Sequence, residues 1–197
     1  MTLQYKGFSL LSAIKNYNMI KYLTGDILFS KCQTLVNPVN CVGVMRKGLA
    51  LRFRKAYPDM FLRYKSICQR GLLKPGMLWL YQSITDTKVL CFPIKEDWRE
   101  PSRSVWIEDG LSKFVTTYKK KGITSVAFPL LGAGNGDLDK STAMAIMEEY
   151  LRDCDIPIEI YSTYVPYSKT FIPLLERLVG GISDKQKKEI IDKLCHE

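Results

Sequence analysis

Apolar positions along the chain fall into short continuous runs and into longer stretches with helical spacing, and the two kinds alternate. Short runs of β-branched and apolar residues predict six strands, at residues 20–23, 34–40, 77–81, 88–94, 123–129 and 156–161. The longer stretches predict helices at residues 48–69 with a break at Pro58, at residues 104–121 ending on Gly122, and from Asp139 onward. Alternating strands and helices predict an α/β sheet that is covered on both faces.

Four segments follow predicted strands, where α/β sheets bind their ligands. They read "GDI" (25–27), "NPVNCVGVMRKG" (37–48), "PIKEDW" (93–98) and "LLGAGNGDL" (130–138). The glycines at 132, 134 and 136 either aim backbone N–H groups at an anion or only allow positive φ in a tight connection. Asn37 and Asn40 offer amides to ribose hydroxyls, and Asp26 can accept hydrogen bonds from an exocyclic amine. Together these groups describe a site for ADP-ribose.

Positive charge is concentrated in one part of the chain. The formal net charge is +9, and residues 46–70 hold eight Lys or Arg against one acidic residue, Asp59. Such a segment is either a solvated helix face or a surface that binds phosphates, and the excess favours the second. The expected nucleic-acid contacts are Arg46, Lys47, Arg52, Arg54 and Lys55.

The residue inventory narrows the chemistry. The only histidine is His196, and the six cysteines form no CxxC pair. We therefore expect no metal site, no disulfide framework, no cofactor and no histidine-dependent nucleophile. The chain has no apolar run of transmembrane length and no signal-peptide cleavage site, so we expect a monomeric cytoplasmic protein that does not bind membranes.

The four segments, in this order, resemble the macrodomain family over about residues 19–161, and most closely its branch of DarG-type DNA ADP-ribosyl glycohydrolases and terminal ADP-ribose protein glycohydrolases. The resemblance implies a three-layer α/β/α fold with a mixed six-stranded sheet. It divides the chain into an N-terminal extension (1–18), the macrodomain (19–164) and a helical tail (165–197). The implied ADP-ribose contacts are Asp26, Ile27, Asn37, Gly43, Val44, Met45, Gly48, Leu131, Gly132, Ala133, Gly134, Asn135, Gly136 and Tyr161.

The resemblance also implies catalytic residues. The lysine of the branch's "FPxK" segment matches Lys95, and the asparagine of its first loop matches Asn40. Lys95 is either a nucleophile toward the distal ribose or an electrostatic clamp. The terminal ADP-ribose protein glycohydrolases carry an assisting aspartate at the position of Gly136, whereas the DarG pattern has glycine there, as this chain does. Asp137 is one residue further on.

These features predict a glycohydrolase that removes ADP-ribose from a macromolecule, and the basic segment favours DNA over protein as the substrate. A partner ADP-ribosyltransferase toxin is implied by the same resemblance. Two alternatives remain open. One is a domain that binds ADP-ribose without turnover, and the other is a hydrolase of small ADP-ribose derivatives.

Overall fold

The structure is a computed structural model, and it describes residues 19–84, 86–134, 136, 138–166, 183, 185, 186 and 189. The predicted N-terminal extension, residues 1–18, lies outside the described residues, and so does most of the predicted tail, residues 165–197. The division of the chain at these two boundaries therefore stays a prediction.

The described residues form six strands and four α-helices. The strands are β1 (Ile20–Gly25), β2 (Thr34–Asn40), β3 (Trp79–Gln82), β4 (Lys88–Lys95), β5 (Val126–Pro129) and β6 (Ile158–Tyr164). The helices are α1 (Gly48–Ala56), α2 (Pro58–Gln69), α3 (Ser104–Thr117) and α4 (Lys140–Leu151). Each predicted element is present, with ends that differ by a few residues.

Local signals explain where two of these helices begin. Pro58 is the first residue of α2, a position where its missing N–H has no intrahelical acceptor. Asp139 caps α4, because its carboxylate accepts a hydrogen bond from Thr142 N at 3.0 Å. These residues fix the break after α1 and the start of the helix that follows the glycine loop.

The strands form one sheet in the order β1-β6-β5-β2-β4-β3. The first five strands in that order run parallel, and β3 pairs antiparallel with β4 at the edge. This confirms the mixed six-stranded sheet. The carboxyl ends of the parallel strands meet at one edge, which we call the carboxyl edge, and all four predicted ligand segments leave the sheet there.

Helices cover both faces of the sheet. Successive side chains of β2 point to opposite sides, so that Leu35 packs with α1 and α2 whereas Val36 packs with α3 and α4. Phe53 of α1 and Leu111 of α3 are fully buried in these two cores. The three-layer α/β/α arrangement is therefore confirmed. Across the described part of the chain, no helix has the length and apolar character needed to span a membrane.

Candidate functional site

A cleft of about 250 Å³ opens at the carboxyl edge, above β1, β5 and β6 and beside the start of α1. Its lining residues are Gly25, Ile27, Gly48, Leu49, Arg52, Pro129, Tyr161 and Tyr164. Ile27, Gly48 and Tyr161 were predicted from the sequence, whereas Tyr164 was not. Apolar walls with two tyrosine rings suit a flat, partly apolar group such as a nucleobase.

Asp26 lies beside this cleft and is almost completely buried. Its Oδ1 accepts a hydrogen bond from Leu28 N at 3.0 Å, which caps a short 3-10 turn at Ile27–Phe29. Its Oδ2 accepts a hydrogen bond from the guanidinium of Arg52. The Asp26 carboxylate is therefore held in a fixed orientation at the cleft.

Arg52 does not lie with the exposed cations of α1. Its guanidinium carbon is 4.6 Å from the centroid of the Tyr164 ring, and it lines the cleft while pairing with Asp26. The sequence grouped Arg52 with the nucleic-acid contacts because a charge count does not reveal which side of a helix each cation occupies. Its position in the structure associates Arg52 with the ligand cleft.

Tyr161 forms part of the cleft wall, and a hydrogen bond from its hydroxyl fixes the ring in place. Its hydroxyl donates to Glu159 Oε2 at 3.1 Å, and Ser30 Oγ donates to the same oxygen at 2.6 Å. Burial, together with the nearby Glu159 carboxylate, raises the pKa of Tyr161 to about 12. The ring is therefore neutral at physiological pH. The sequence analysis missed Ser30 and Glu159, since neither belongs to a recognisable motif.

Asn40, at the end of β2, organises the loop that follows it. Its Oδ1 accepts from Val42 N at 3.1 Å and from Val44 N at 3.2 Å, and its Nδ2 donates to Val44 O at 2.6 Å. The buried hydroxyl of Tyr64 donates to the Asn40 carbonyl at 2.7 Å. These contacts fold residues 41–45 around one side chain. Asn40 therefore holds the backbone of the loop after β2, and its catalytic role stays a prediction.

Asn37 has a different environment from Asn40. Its side chain is fully buried, and its Nδ2 lies 3.9 Å from the sulfur of Met45, which is also buried. Its Oδ1 is buried and has no hydrogen-bond partner among the described residues. The Asn37 amide and the Met45 side chain are therefore buried beneath the loop, and their contacts with ADP-ribose stay a prediction.

Lys95 is the last residue of β4, and its Cα pairs in register with that of Asn40. The next residues continue the contact, because Cys41 N donates to Glu96 O at 2.9 Å. The two predicted catalytic residues therefore lie on adjacent strands at the carboxyl edge. Three strand spacings of about 4.8 Å separate β4 from β6, so Lys95 is roughly 14 Å from the cleft lined by Tyr161 and Tyr164, which we call the tyrosine cleft.

The glycine loop after β5 is folded back on itself. Gly132 has φ +79°, and its carbonyl oxygen accepts a hydrogen bond from Leu138 N at 3.1 Å. A Cβ added at Gly136 would lie 2.2 Å from that same oxygen, whereas one at Gly134, with φ +97°, would meet no atom of the described residues within 4 Å. Leu131 is buried and Ala133 is half-buried. Asn135 and Asp137 lie outside the described residues.

The remaining predicted cations and loop residues lie next to these groups. Gly43, with φ +80°, would bring a Cβ within 3.4 Å of side-chain atoms of Lys65 and Cys68, so the first loop packs closely on α2. Four predicted nucleic-acid contacts are exposed: Arg46, Lys47, Arg54 and Lys55.

The sheet order, the three layers and the grouping of loops at the carboxyl edge define a macrodomain. The Macro domain model matches residues 36–147, and the chain belongs to this family. It is similar to the DNA ADP-ribosyl glycohydrolase of Mycobacterium tuberculosis, at 43% identity over 61% of this chain and 35% of that protein.

Two further proteins are similar over a larger part of the chain. A DNA ADP-ribosyl transferase-DNA ADP-ribosyl glycohydrolase fusion protein of Thermosipho africanus is 37% identical over 75% of this chain and 43% of its own length. The solved structure of Thermosipho africanus DarTG in complex with ADP-ribose matches with a TM-score of 0.69 and 38% identity, covering 80% of this chain and 44% of that one. This chain thus spans less than half the length of these relatives.

Proposed function

We propose that this chain is a glycohydrolase that removes ADP-ribose from a macromolecule, with ADP-ribosylated DNA as its preferred substrate. The observation that carries the proposal is the register pair of Asn40 and Lys95 at the carboxyl edge, about three strand spacings from the tyrosine cleft. A ligand with a nucleobase in the cleft and a diphosphate along the edge would bring its second ribose to Lys95.

The adenosine end of the ligand fits the cleft. Asp26 accepts a hydrogen bond from the exocyclic amine of adenine, and Tyr161 and Tyr164 flank the ring system. Arg52 pairs with the Asp26 carboxylate, so adenine either shares this carboxylate with Arg52 or displaces the guanidinium. The backbone of Gly132, Ala133 and Gly134, together with the first N–H groups of α1, faces the diphosphate.

The proposed reaction takes place at the distal ribose, which is the end of the ligand away from adenine. Lys95 Nζ forms a bond to C1 of the distal ribose while the bond from C1 to the modified base breaks, and the bonding electron pair leaves with the base, which takes up a proton. The sugar ring opens to an imine with Lys95, and water hydrolyses this imine to free ADP-ribose and the original amine. Asn40 positions Gly43 and Val44 against this ribose.

The choice of DNA rests on two separate supports. Exposed cations flank the helix that borders the cleft and fit a phosphate backbone: Arg46 and Lys47 precede α1, and Arg54 and Lys55 lie in its last turn. The names of the similar proteins specify ADP-ribosylated DNA, and one of these relatives is fused to a transferase. We therefore propose a partner ADP-ribosyltransferase that makes the substrate. A protein substrate would not need the basic face.

The experiment is incubation of the chain with ADP-ribosylated oligonucleotide and, separately, with ADP-ribosylated protein, with release of ADP-ribose as the measurement. We expect the oligonucleotide to lose its label.

Lys95→Arg and Lys95→Ala should both lose more than about a hundredfold in rate, because an attacking amine is removed in each. Borohydride should trap the imine as an adduct on the peptide that contains Lys95.

Lys88→Arg is the matched control, since Lys88 lies at the opposite end of the same strand and donates to Gly122 O at 2.8 Å. This variant should keep full activity. If Lys95→Arg keeps most of its activity, Lys95 is a clamp and not a nucleophile. If the wild type releases nothing from DNA or protein yet binds ADP-ribose in calorimetry, the chain is a reader of the modification.

A further inference from the structure

A second groove, of about 470 Å³, lies on the α2 side of the sheet. Five of its six lining residues come from α2 and its C-cap, and the sixth is on the edge strand β3: Leu62, Arg63, Ser66, Ile67, Arg70 and Trp79. Residues 62, 66 and 70 lie in one row along the helix, and residues 63 and 67 lie in the next row. The helix therefore presents arginine, hydroxyl and aliphatic groups to one side of the groove, opposite the indole of Trp79.

The chemistry of this groove combines aromatic surface with positive charge. The Trp79 and Tyr81 rings have centroids 6.1 Å apart, and the guanidinium carbon of Arg63 is 5.8 Å from the centroid of Tyr81. Both charged residues that line the groove, Arg63 and Arg70, are cationic and exposed. Bases stack on aromatic and guanidinium planes while phosphates pair with arginine, so the groove complements a single-stranded nucleic acid.

The groove is physically connected to the candidate reaction site. The helix that forms its wall contacts the first ligand loop, because the Gly43 position lies within 3.4 Å of Lys65 and Cys68 side-chain atoms. On the other wall, Trp79 pairs in register with Cys91, which is four residues before Lys95 on β4. At about 3.3 Å per residue, Trp79 is roughly 13 Å along the sheet from Lys95. A short flanking strand can span this distance.

We propose that this groove binds the single-stranded nucleic acid adjoining an ADP-ribosylated nucleotide, with a base stacked on Trp79 and phosphates paired with Arg63 and Arg70. The inference rests on the proposed function for its link to Lys95. Binding of an unmodified strand in the groove, however, requires no hydrolysis. The groove would add contacts to the flanking strand that free ADP-ribose does not make.

The test measures fluorescence anisotropy of a labelled, unmodified oligothymidylate of about 12 nucleotides over a series of salt concentrations. Trp79→Leu should weaken binding about tenfold, because it removes a stacking surface and keeps an apolar side chain. Arg63→Glu/Arg70→Glu should weaken binding by more than tenfold at low salt, and two lost phosphate contacts should reduce the log–log salt slope by about 1.4. The control, Lys113→Glu/Lys120→Glu, makes the same charge change at exposed positions in and after α3 and should bind like the wild type.

Ser66→Glu gives a second measurement that does not depend on the partly buried Trp79. It adds a negative charge at an exposed helix position in the groove and should also weaken binding. Equal losses in the control would overturn the proposal, and so would unchanged binding in all groove variants, which would leave the groove to a protein partner. Equally tight binding of duplex DNA with the same dependence on Trp79 would also contradict it.

Hydrolysis assays separate this inference from the proposed function. If the wild type binds the unmodified strand through Trp79 but releases no ADP-ribose from any substrate, the groove stands and the glycohydrolase proposal fails. If the groove variants cleave ADP-ribosylated oligonucleotide with unchanged kcat/KM and bind the unmodified strand normally, the glycohydrolase proposal stands and the groove assignment fails.

Discussion

Several side chains at the carboxyl edge hold the protein's own loops as well as facing the ligand space. The Asn40 side-chain amide hydrogen-bonds to the backbone of Val42 and Val44, and Asp26 caps a turn while pairing with Arg52. Substitution of such a residue changes both loop geometry and ligand contacts. Conservative and truncating variants at the same position therefore have to be compared, because only their difference separates the two effects.

Asp26 allows this comparison. Asp26→Asn keeps an oxygen that can accept from Leu28 N, whereas Asp26→Ala removes the cap, so the alanine variant should be less stable than the asparagine variant by about 1 kcal/mol in thermal or urea unfolding. Both should weaken ADP-ribose binding by about 1–3 kcal/mol in calorimetry, since each removes the carboxylate that accepts from adenine. Arg52→Gln is the control for the lost ion pair. If Asp26→Asn binds ADP-ribose like the wild type, Asp26 does not contact adenine.

At the scale of secondary structure, the sequence was sufficient for most of the fold. Apolar runs identified all six strands, including β1 and β3, which are only partly buried. Pro58 marked a helix start through its missing N–H and Asp139 through its capping carboxylate. The inward position of Arg52 could not be predicted, since it depends on how α1 docks on the sheet. The burial of Asn37 could not be predicted either. Helices cover both faces of β2, so a polar side chain on either side of this strand can be buried.

The glycine loop is another place where the sequence does not reveal the packing of individual residues. In the sequence its glycines look equivalent, but the structure gives them different environments. Gly132 and Gly136 approach each other so closely that a Cβ at Gly136 would overlap the Gly132 carbonyl, whereas Gly134 is exposed with open space beside it. Gly132 and Gly136 fit the tight connection, and Gly134 remains the position predicted to face a ligand.

Alanine substitutions should separate these two roles. Gly136→Ala should lower stability by about 1–3 kcal/mol, because the loop backbone must shift to accept the methyl group. Gly134→Ala should cost about 1 kcal/mol through its positive φ, yet it should weaken ADP-ribose binding markedly because the methyl group enters the diphosphate space. Thermal unfolding and calorimetry on both variants give the measurements. Wild-type affinity in Gly134→Ala would place the diphosphate elsewhere.

On the scale of the whole molecule, the two helical layers differ in charge. The layer of α1 and α2 carries five Lys or Arg and one acidic residue, whereas the layer of α3 and α4 carries two lysines and four acidic residues. The sheet between them places the carboxyl edge, with Lys95 and the cleft, at the rim of the positive layer. A polyanion approaching the protein is therefore attracted more strongly to the α1–α2 side than to the other.

Charge reversal on the two layers tests this polarity with a matched pair of variants. Arg54→Glu/Lys55→Glu changes exposed residues of α1, and Lys113→Glu/Lys120→Glu makes the same change in net charge on the α3 side. The α1 variant should raise KM for an ADP-ribosylated oligonucleotide about tenfold at low salt, and the difference from wild type should shrink as salt screens the charges. Affinity for free ADP-ribose should be unchanged in both, which excludes damage to the cleft. Equal increases in KM for the two variants would show that net charge, and not the α1–α2 face, attracts the substrate.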